Sequence, residues 1–126
     1  MLARYKIYRG KPAAGVTLPT GVRQDTRKHT RHCLRPQAES VAEYLAKPSA
    51  RAWKKLSGSY LNTIKQRCKE NATPFDKLAE LAANKSVYLG CSCPTEKNPN
   101  VQHCHTVLAL EFMQGRYPNL DVKLSA

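Results

Sequence analysis

The apolar positions of this 126-residue chain follow two different periods, one typical of strands and one typical of helices. Near the start, Tyr5 and Ile7 alternate with Arg4 and Lys6, and this period of two predicts a strand over residues 3–9. Glycine and proline then interrupt the pattern repeatedly. The chain is therefore predicted to leave regular structure and to form a long loop after the first strand.

Three helices are predicted from apolar residues spaced three and four positions apart. The first follows Pro36 and ends at Pro48, because proline fits the start of a helix but not its interior. We expect Ser49 to cap the second helix, and the third to open with Thr73 as its cap and Pro74 as its first residue. The three apolar faces are Ala38, Val41, Ala42 and Leu45; Trp53, Leu56, Tyr60, Ile64 and Cys68; and Phe75, Leu78, Ala79 and Ala82.

The last third of the chain predicts a strand, a helix and another strand. A continuous apolar run over residues 86–91 is typical of a central strand covered on both faces. A fourth helix is predicted to begin at His103 or Cys104 and to end at Gly115. Alternating apolar and charged residues then predict an edge strand over residues 120–124. This order predicts an α/β fold with a short, mostly parallel sheet of three or slightly more strands and about four helices.

The charge balance is strongly basic. Lysine and arginine number 21 against 9 acidic residues, so the net charge is +12, which favours polyanionic partners such as nucleic acid or nucleotides. Within the predicted loop over residues 10–35, five basic residues are candidates for binding phosphate: Arg23, Arg27, Lys28, Arg31 and Arg35. The alternative is a solvated loop. No aromatic residues are interleaved with these cations, which argues against a reader of single-stranded nucleic acid.

Length and cysteine usage narrow the class of protein. The length fits a single domain over residues 1–126, and no apolar run resembles a secretory leader or a membrane span, so we expect a cytoplasmic protein without a membrane partner. Five cysteines, three of them in one short segment, do not form the even framework of a disulfide-rich secreted domain. Metal ligands, reactive thiols or core residues are the remaining interpretations.

Three cysteines and two histidines flank the loop that follows the predicted central strand. If the strand runs through Cys93, then Cys91 and Cys93 share a face at its carboxyl end, where open α/β sheets bind ligands. Cys104 falls in the first turn of the next helix, where the helix dipole favours a thiolate. Its neighbours His103 and His105 are both candidates for a base that assists it.

Three interpretations of this segment remain open. The first is a zinc site formed by Cys91, Cys93, Cys104 and a histidine, with His103 as the chosen ligand, although a single residue between paired cysteines is unusual spacing for zinc. The second is a catalytic or redox thiol, with Cys104 as nucleophile, His105 or His103 as base and Cys91 beside them. The third treats the cysteines as small core residues.

A family pattern accompanies these residues. The chain has a strand that ends in cysteine, a loop, and then Cys-His at the start of a helix rich in leucine and alanine. The matching residues are Val87-Tyr88-Leu89-Gly90-Cys91, Cys104-His105 and Val107-Leu108-Ala109-Leu110, with Trp53, Tyr60 and Leu78 upstream. The chain thereby resembles a family of small bacterial proteins, domain of unknown function 488. The resemblance implies a compact, Rossmann-like α/β fold and the site positions Cys91, Cys104 and His105, but no established activity.

Three features depart from that pattern: the additional Cys93, a longer loop, and Thr106 where many members have arginine after Cys-His. The segment from Cys91 to Pro94 is more similar to a neighbouring uncharacterised family with a second cysteine before Cys-His. The sequence as a whole predicts an intracellular domain that binds a phosphorylated ligand, a nucleotide or nucleic acid through the basic loop beside the Cys/His site. The alternatives are a cysteine-dependent enzyme acting on such a substrate and a structural zinc-binding module.

Overall fold

The computed structural model describes residues 1–12 and 14–124, and within them it shows a three-stranded sheet and four α-helices. In chain order the elements are β1 (Leu2–Lys6), β2 (Val22–Asp25), α1 (Ala38–Ala46), α2 (Ala50–Glu70), α3 (Thr73–Asn84), β3 (Val87–Cys91) and α4 (His105–Arg116), with a short 3-10 turn (Val101–His103) before α4. This architecture confirms the predicted small α/β fold.

The three strands are parallel, and β3 lies between β1 and β2. Val87 is in register with Leu2 on one side and with Val22 on the other. The prediction of a central strand over residues 86–91 is therefore confirmed. Because all three strands point the same way, their carboxyl ends meet at one edge of the sheet, and Cys91 lies at this edge.

The predicted loop over residues 10–35 contains a strand that the sequence pattern missed. β2 has the sequence Val-Arg-Gln-Asp, which lacks the apolar alternation of a half-buried strand. Backbone hydrogen bonds to β3 hold it, from Val22 N to Ser86 O at 2.9 Å and from Thr26 N to Gly90 O at 3.0 Å. Gly21 precedes it with φ +145°, and a Cβ there would lie 2.6 Å from Ser86 O, so only glycine fits this close approach.

The edge strand predicted over residues 120–124 is wrong. The segment makes one isolated bridge, between Val122 and Leu2, closed by Leu2 N to Asp121 O and Lys123 N to Leu2 O, both at 2.8 Å. The alternation of apolar residues there reflects the burial of Val122 rather than a continuous strand.

The helices lie where apolar spacing predicted them, with small differences at their ends, but in α1 the buried residue is Tyr44, and the predicted Ala38 and Ala42 are exposed. Ser49 caps α2 as predicted, since its side chain accepts from Ala52 N at 3.0 Å. Thr73 is the first residue of α3 rather than its cap, and Asn71 Oδ1 instead accepts from Thr73 N at 3.2 Å. α4 continues through Gly115 as far as Arg116.

One hydrophobic core joins the sheet to the helices. Val87 and Leu89 of β3 cluster with buried residues from α2, α3 and α4, including Ile64, Phe75 and Leu110. Two of the packed elements, α4 and β3, thus approach each other at the edge where β3 ends. No helix in the described part of the chain has the length and apolar character needed to cross a membrane.

Side-chain hydrogen bonds order the segment between β2 and α1. The Nε2–H of His32 donates to Gln24 Oε1 at 2.7 Å, while its Nδ1 accepts from Leu34 N at 3.1 Å. Arg67 of α2 donates to Arg35 O at 2.6 Å, which ties the segment to the helix. Burial, assisted by the neighbouring His105, lowers the pKa of His32 to about 4.

We expect this histidine to make folding stability depend on pH. The pKa of His32 is lower in the folded chain than the ordinary value of 6.5, so protons bind the unfolded chain preferentially as the pH falls from 6.5 to about 4. Stability should decrease over that window by up to about 3 kcal/mol. The decrease should be smaller in His32→Asn, which keeps an acceptor for Leu34 N–H and cannot be protonated. Urea denaturation at a series of pH values measures the free energy of unfolding of both proteins. An identical dependence of this free energy on pH would contradict the role assigned to His32.

Candidate active site

Three cysteine sulfurs meet where β3 ends and α4 begins. Cys91 is the last residue of β3, Cys93 lies in the loop that follows, and Cys104 is the N-cap of α4. Their Sγ atoms all lie within 4.8 Å of one another. Cys91 and Cys104 are buried, and Cys93 is half-buried. The structure therefore brings together the three cysteines that the sequence singled out.

Cations from β1 hold the loop after β3 in place. Arg4 Nη2 donates to Cys93 O at 2.7 Å, and Lys6 Nζ donates to Pro94 O at 2.7 Å. Arg4 Nε also donates to Thr106 Oγ1 at 2.9 Å, which links the loop to the first turn of α4. One arginine thus fixes both Cys93 and the residue beside Cys104. Neither Arg4 nor Thr106 was identified as a site residue from the sequence, because no feature of the sequence pattern indicates that β1 contacts α4.

Hydrogen-bond donors converge on the sulfur of Cys104. Thr106 Oγ1 accepts a hydrogen bond from Arg4, so its own proton is available for a second hydrogen bond. The hydroxyl donates this proton to Cys104 Sγ at 3.1 Å. The neighbouring thiols of Cys91 and Cys93, together with His105, lower the pKa of Cys104 strongly against the opposing effect of burial. The dipole of the 12-residue helix α4 acts in the same direction.

The two other thiols are the protonated partners. Donation to Cys104, mutual hydrogen bonding and burial raise the pKa of Cys91 strongly. The pKa of Cys93 is also raised, mainly because it donates to Cys104. Three sulfurs at this separation cannot all carry charge in a buried site, since like charges repel strongly there. The arrangement accordingly favours ionisation of Cys104 over that of the other two cysteines.

His105 is oriented by β2. Its Nε2 lies 2.8 Å from Thr26 Oγ1, and Thr26 Oγ1 donates its only proton to Gly90 O at 3.0 Å. The hydroxyl must therefore accept from Nε2–H, so the second proton of the imidazolium form lies on Nδ1, on the side of Cys104 and 4.0 Å from its Sγ. Tyr60 stacks on the imidazole with ring centroids 5.7 Å apart. Thr26 follows the strand that the sequence analysis missed, so its role was missed as well.

His103 lies apart from the three sulfurs. Its Nδ1 is 3.2 Å from Tyr44 Oη, and its ring stacks on Trp53 with centroids 5.0 Å apart and planes inclined by 18°. Among the described residues, the cluster suited to a metal ion comprises the three cysteines without a histidine. The structure thus separates the two histidines. His105 lies beside Cys104, whereas His103 contacts the aromatic side chains of Tyr44 and Trp53.

A cavity of about 310 Å³ opens onto these groups. Its lining combines the cysteines and histidines with an apolar wall and with two cations. The lining residues are Arg27, Lys28, His29, Pro36, Val41, Tyr44, Leu45, Leu56, Cys91, Ser92, Cys93, Thr95, Asn98, His103, Cys104 and His105. The volume is at the lower end of the range for small-molecule sites, which is roughly 300–1,000 Å³.

Only two of the five predicted phosphate-binding residues, Arg27 and Lys28, line this cavity. Arg27 also binds Asp25 through two of its nitrogens, and these bonds outweigh burial and hold the pKa of Asp25 below its usual value. Its Nη1 reaches Ser92 Oγ at 3.5 Å. Arg35 donates instead to His32 O at 3.1 Å. The other two predicted residues, Arg23 and Arg31, are exposed and lie outside the lining.

Comparison with known proteins identifies the family of the chain through a family model alone. No curated protein and no solved structure matches the chain significantly. The family model that matches is DUF488-N3a, described as the active DUF488-N3 subclade, and the match covers residues 12–117. This range contains the cysteine cluster, all three histidines of the cavity lining and all four α-helices of the described structure. On that basis the chain belongs to the active DUF488-N3 subclade of the domain of unknown function 488 family.

Proposed function

We propose that this protein is an enzyme in which the Cys104 thiolate attacks a small phosphorylated substrate. The observation that carries the proposal is the convergence of donors on Cys104 Sγ inside the cavity, at the start of α4. Such a thiolate is the nucleophilic form of cysteine. The description of the matching subclade as active supports an enzyme rather than a binding module.

His105 is the proton carrier in this proposal. As the sulfur attacks phosphorus, an S–P bond forms and the P–O bond to the leaving group breaks. The departing oxygen takes a proton from protonated His105, whose Nδ1 faces Cys104. Water then gives a proton back to His105 and its oxygen attacks phosphorus. The S–P bond breaks, inorganic phosphate leaves and the Cys104 thiolate returns.

The substrate is proposed to be anionic because Lys28 and Arg27 border the cavity. Arg27 shares its charge with Asp25, whereas no ion pair involving Lys28 is found in the described residues. The net charge of the chain, +12, adds a general attraction for anions. The small cavity favours a small molecule over a polymer as the group that reaches Cys104.

A metal held by Cys91, Cys93 and Cys104 is the second candidate, favoured by the short distances among the three sulfurs. Thiolates suit zinc, but a structural zinc site needs four protein ligands. With three cysteines, the fourth position would open to the cavity as in catalytic zinc sites. The labelling experiment described next separates this candidate from the free thiolate.

We expect Cys104 to react with iodoacetamide near neutral pH. The pH at which its labelling rate reaches half of the maximum should lie below the ordinary thiol pKa of about 8.5. Cys33 provides the comparison within the same chain, because burial raises its pKa to about 11. Mass spectrometry of peptides labelled over a range of pH values measures both rates. Cys104→Ser should abolish the fast phase, and Cys68→Ser should leave it unchanged.

Two outcomes would contradict the free thiolate. If Cys104 labels no faster than Cys33 at pH 7, the proposed nucleophile is wrong. If Cys91, Cys93 and Cys104 label only after a chelator is added, and elemental analysis finds one zinc per chain, the metal site replaces it.

A preference of the site for anions should raise the ratio of the labelling rate with iodoacetate to the labelling rate with iodoacetamide. We expect this ratio to be higher for Cys104 than for free cysteine. Lys28→Ala should reduce this ratio by about two- to threefold, because the attraction of one charge across a few ångströms of water is worth less than about 1 kcal/mol. The matched control is Lys65→Ala, which removes the same charge from an exposed position on α2. A ratio that responds equally to both substitutions would show only the effect of net charge.

A further inference from the structure

His103 belongs to a hydrogen-bonded network that does not include Cys104. Its Nδ1 lies 3.2 Å from Tyr44 Oη, and Tyr44 Oη lies 3.3 Å from Asn98 Oδ1. Tyr44 is 4% exposed and Asn98 is 5% exposed, so each polar atom of this pair needs a partner within the protein. Trp53 covers one face of the imidazole. The ring of His103 is thus held from two directions.

The amide of Asn98 fixes the direction of these hydrogen bonds. Its Nδ2 donates to His103 O at 2.7 Å and to Cys93 Sγ at 3.3 Å. The carbonyl His103 O can only accept, so the nitrogen of the amide must lie on this side and Oδ1 on the side of Tyr44. Oδ1 is itself only an acceptor, and it therefore takes the single hydroxyl proton of Tyr44.

The remaining step assigns the proton of His103. Because the hydroxyl proton of Tyr44 points at Asn98, the oxygen of Tyr44 accepts from His103 Nδ1–H. In the neutral imidazole the other nitrogen, Nε2, then carries a lone pair. Within the described residues no group donates to Nε2, while His103 lines the cavity. The network thereby leaves an acceptor without a protein partner in the wall of the site.

We propose that His103 Nε2 is the hydrogen-bond acceptor that selects substrates carrying an N–H or O–H group. The proposal rests on the proposed function for the anionic group of the substrate and adds a second point of recognition. Val41, Leu45 and Leu56 supply an apolar wall in the same cavity. The substrate class is accordingly a small phosphorylated molecule whose apolar or aromatic body bears a hydrogen-bond donor. His105 serves the nucleophile, and His103 serves substrate recognition.

The tautomer of His103 tests the network without any ligand. Nitrogen-15 NMR of histidine-labelled protein at pH 8, where an ordinary imidazole is neutral, distinguishes the two tautomers. We expect His103 to be protonated at Nδ1 and His105 at Nε2, with the signals assigned through His103→Leu. Tyr44→Phe removes the acceptor and should shift His103 towards protonation at Nε2. Protonation at Nε2 in the unsubstituted protein, or no response to Tyr44→Phe, would overturn the assignment.

Binding of two matched probes tests recognition. The probes are 4-hydroxyphenyl phosphate and 4-methoxyphenyl phosphate, which share the anion and the ring and differ in the O–H donor. Titration into Cys104→Ser protein, which cannot turn them over, should give about three- to tenfold tighter binding of the hydroxyl compound, as one net hydrogen bond provides. The double substitution with His103→Leu should abolish the difference.

Each failure has a separate meaning. Equal affinities for the two probes, or binding of neither at millimolar concentration, would overturn the role of His103 in recognition. A slowly labelled Cys104 would overturn the proposed function, whatever the tautomer of His103. The NMR and labelling experiments use the intact chain and do not depend on each other.

Discussion

The site depends on how three closely spaced cysteines, two of them buried, share one negative charge. Cys91, Cys93 and Cys104 lie too close together for more than one of them to ionise, and the surroundings decide which one does. Thr106 and the start of α4 favour charge on Cys104, whose pKa is lowered, while the pKa values of the other two cysteines are raised. In the proposed function this cluster, which resembles a metal site in its spacing, acts as a stabilised nucleophile.

The fold explains why these groups meet. Parallel strands place their carboxyl ends at one edge, so β1 contributes Arg4, β2 leads to Thr26 and β3 ends at Cys91. α4 begins at the same edge, and its first turn accepts a hydrogen bond from Arg4 at Thr106 and donates one from His105 to Thr26. All three strands thus act on the first turn of a single helix. The charge distribution at Cys104 is consequently a property of the packed sheet rather than of the Cys-His dipeptide alone.

Sequence periodicity predicted the positions of the helices and of the central strand well, and it predicted the buried faces of α2, α3 and β3, whereas in α1 the buried residue is Tyr44 rather than the predicted face. It failed for β2, whose polar residues are held by backbone pairing with β3, and for residues 120–124, where burial of Val122 imitated a strand. The cysteines and histidines were identifiable by residue type. Their division of roles was not, because it follows from hydrogen bonds to Thr26 and Tyr44, which are distant in sequence and carry no pattern of their own.

The most direct test of the shared charge is the ultraviolet absorbance of thiolate, followed against pH in chelator-treated protein. We predict one thiolate per folded chain at pH 7, absent in Cys104→Ser and retained in Cys33→Ser. The account would be contradicted if no thiolate formed below the ordinary thiol pKa of about 8.5, or if the neutral-pH signal persisted in Cys104→Ser.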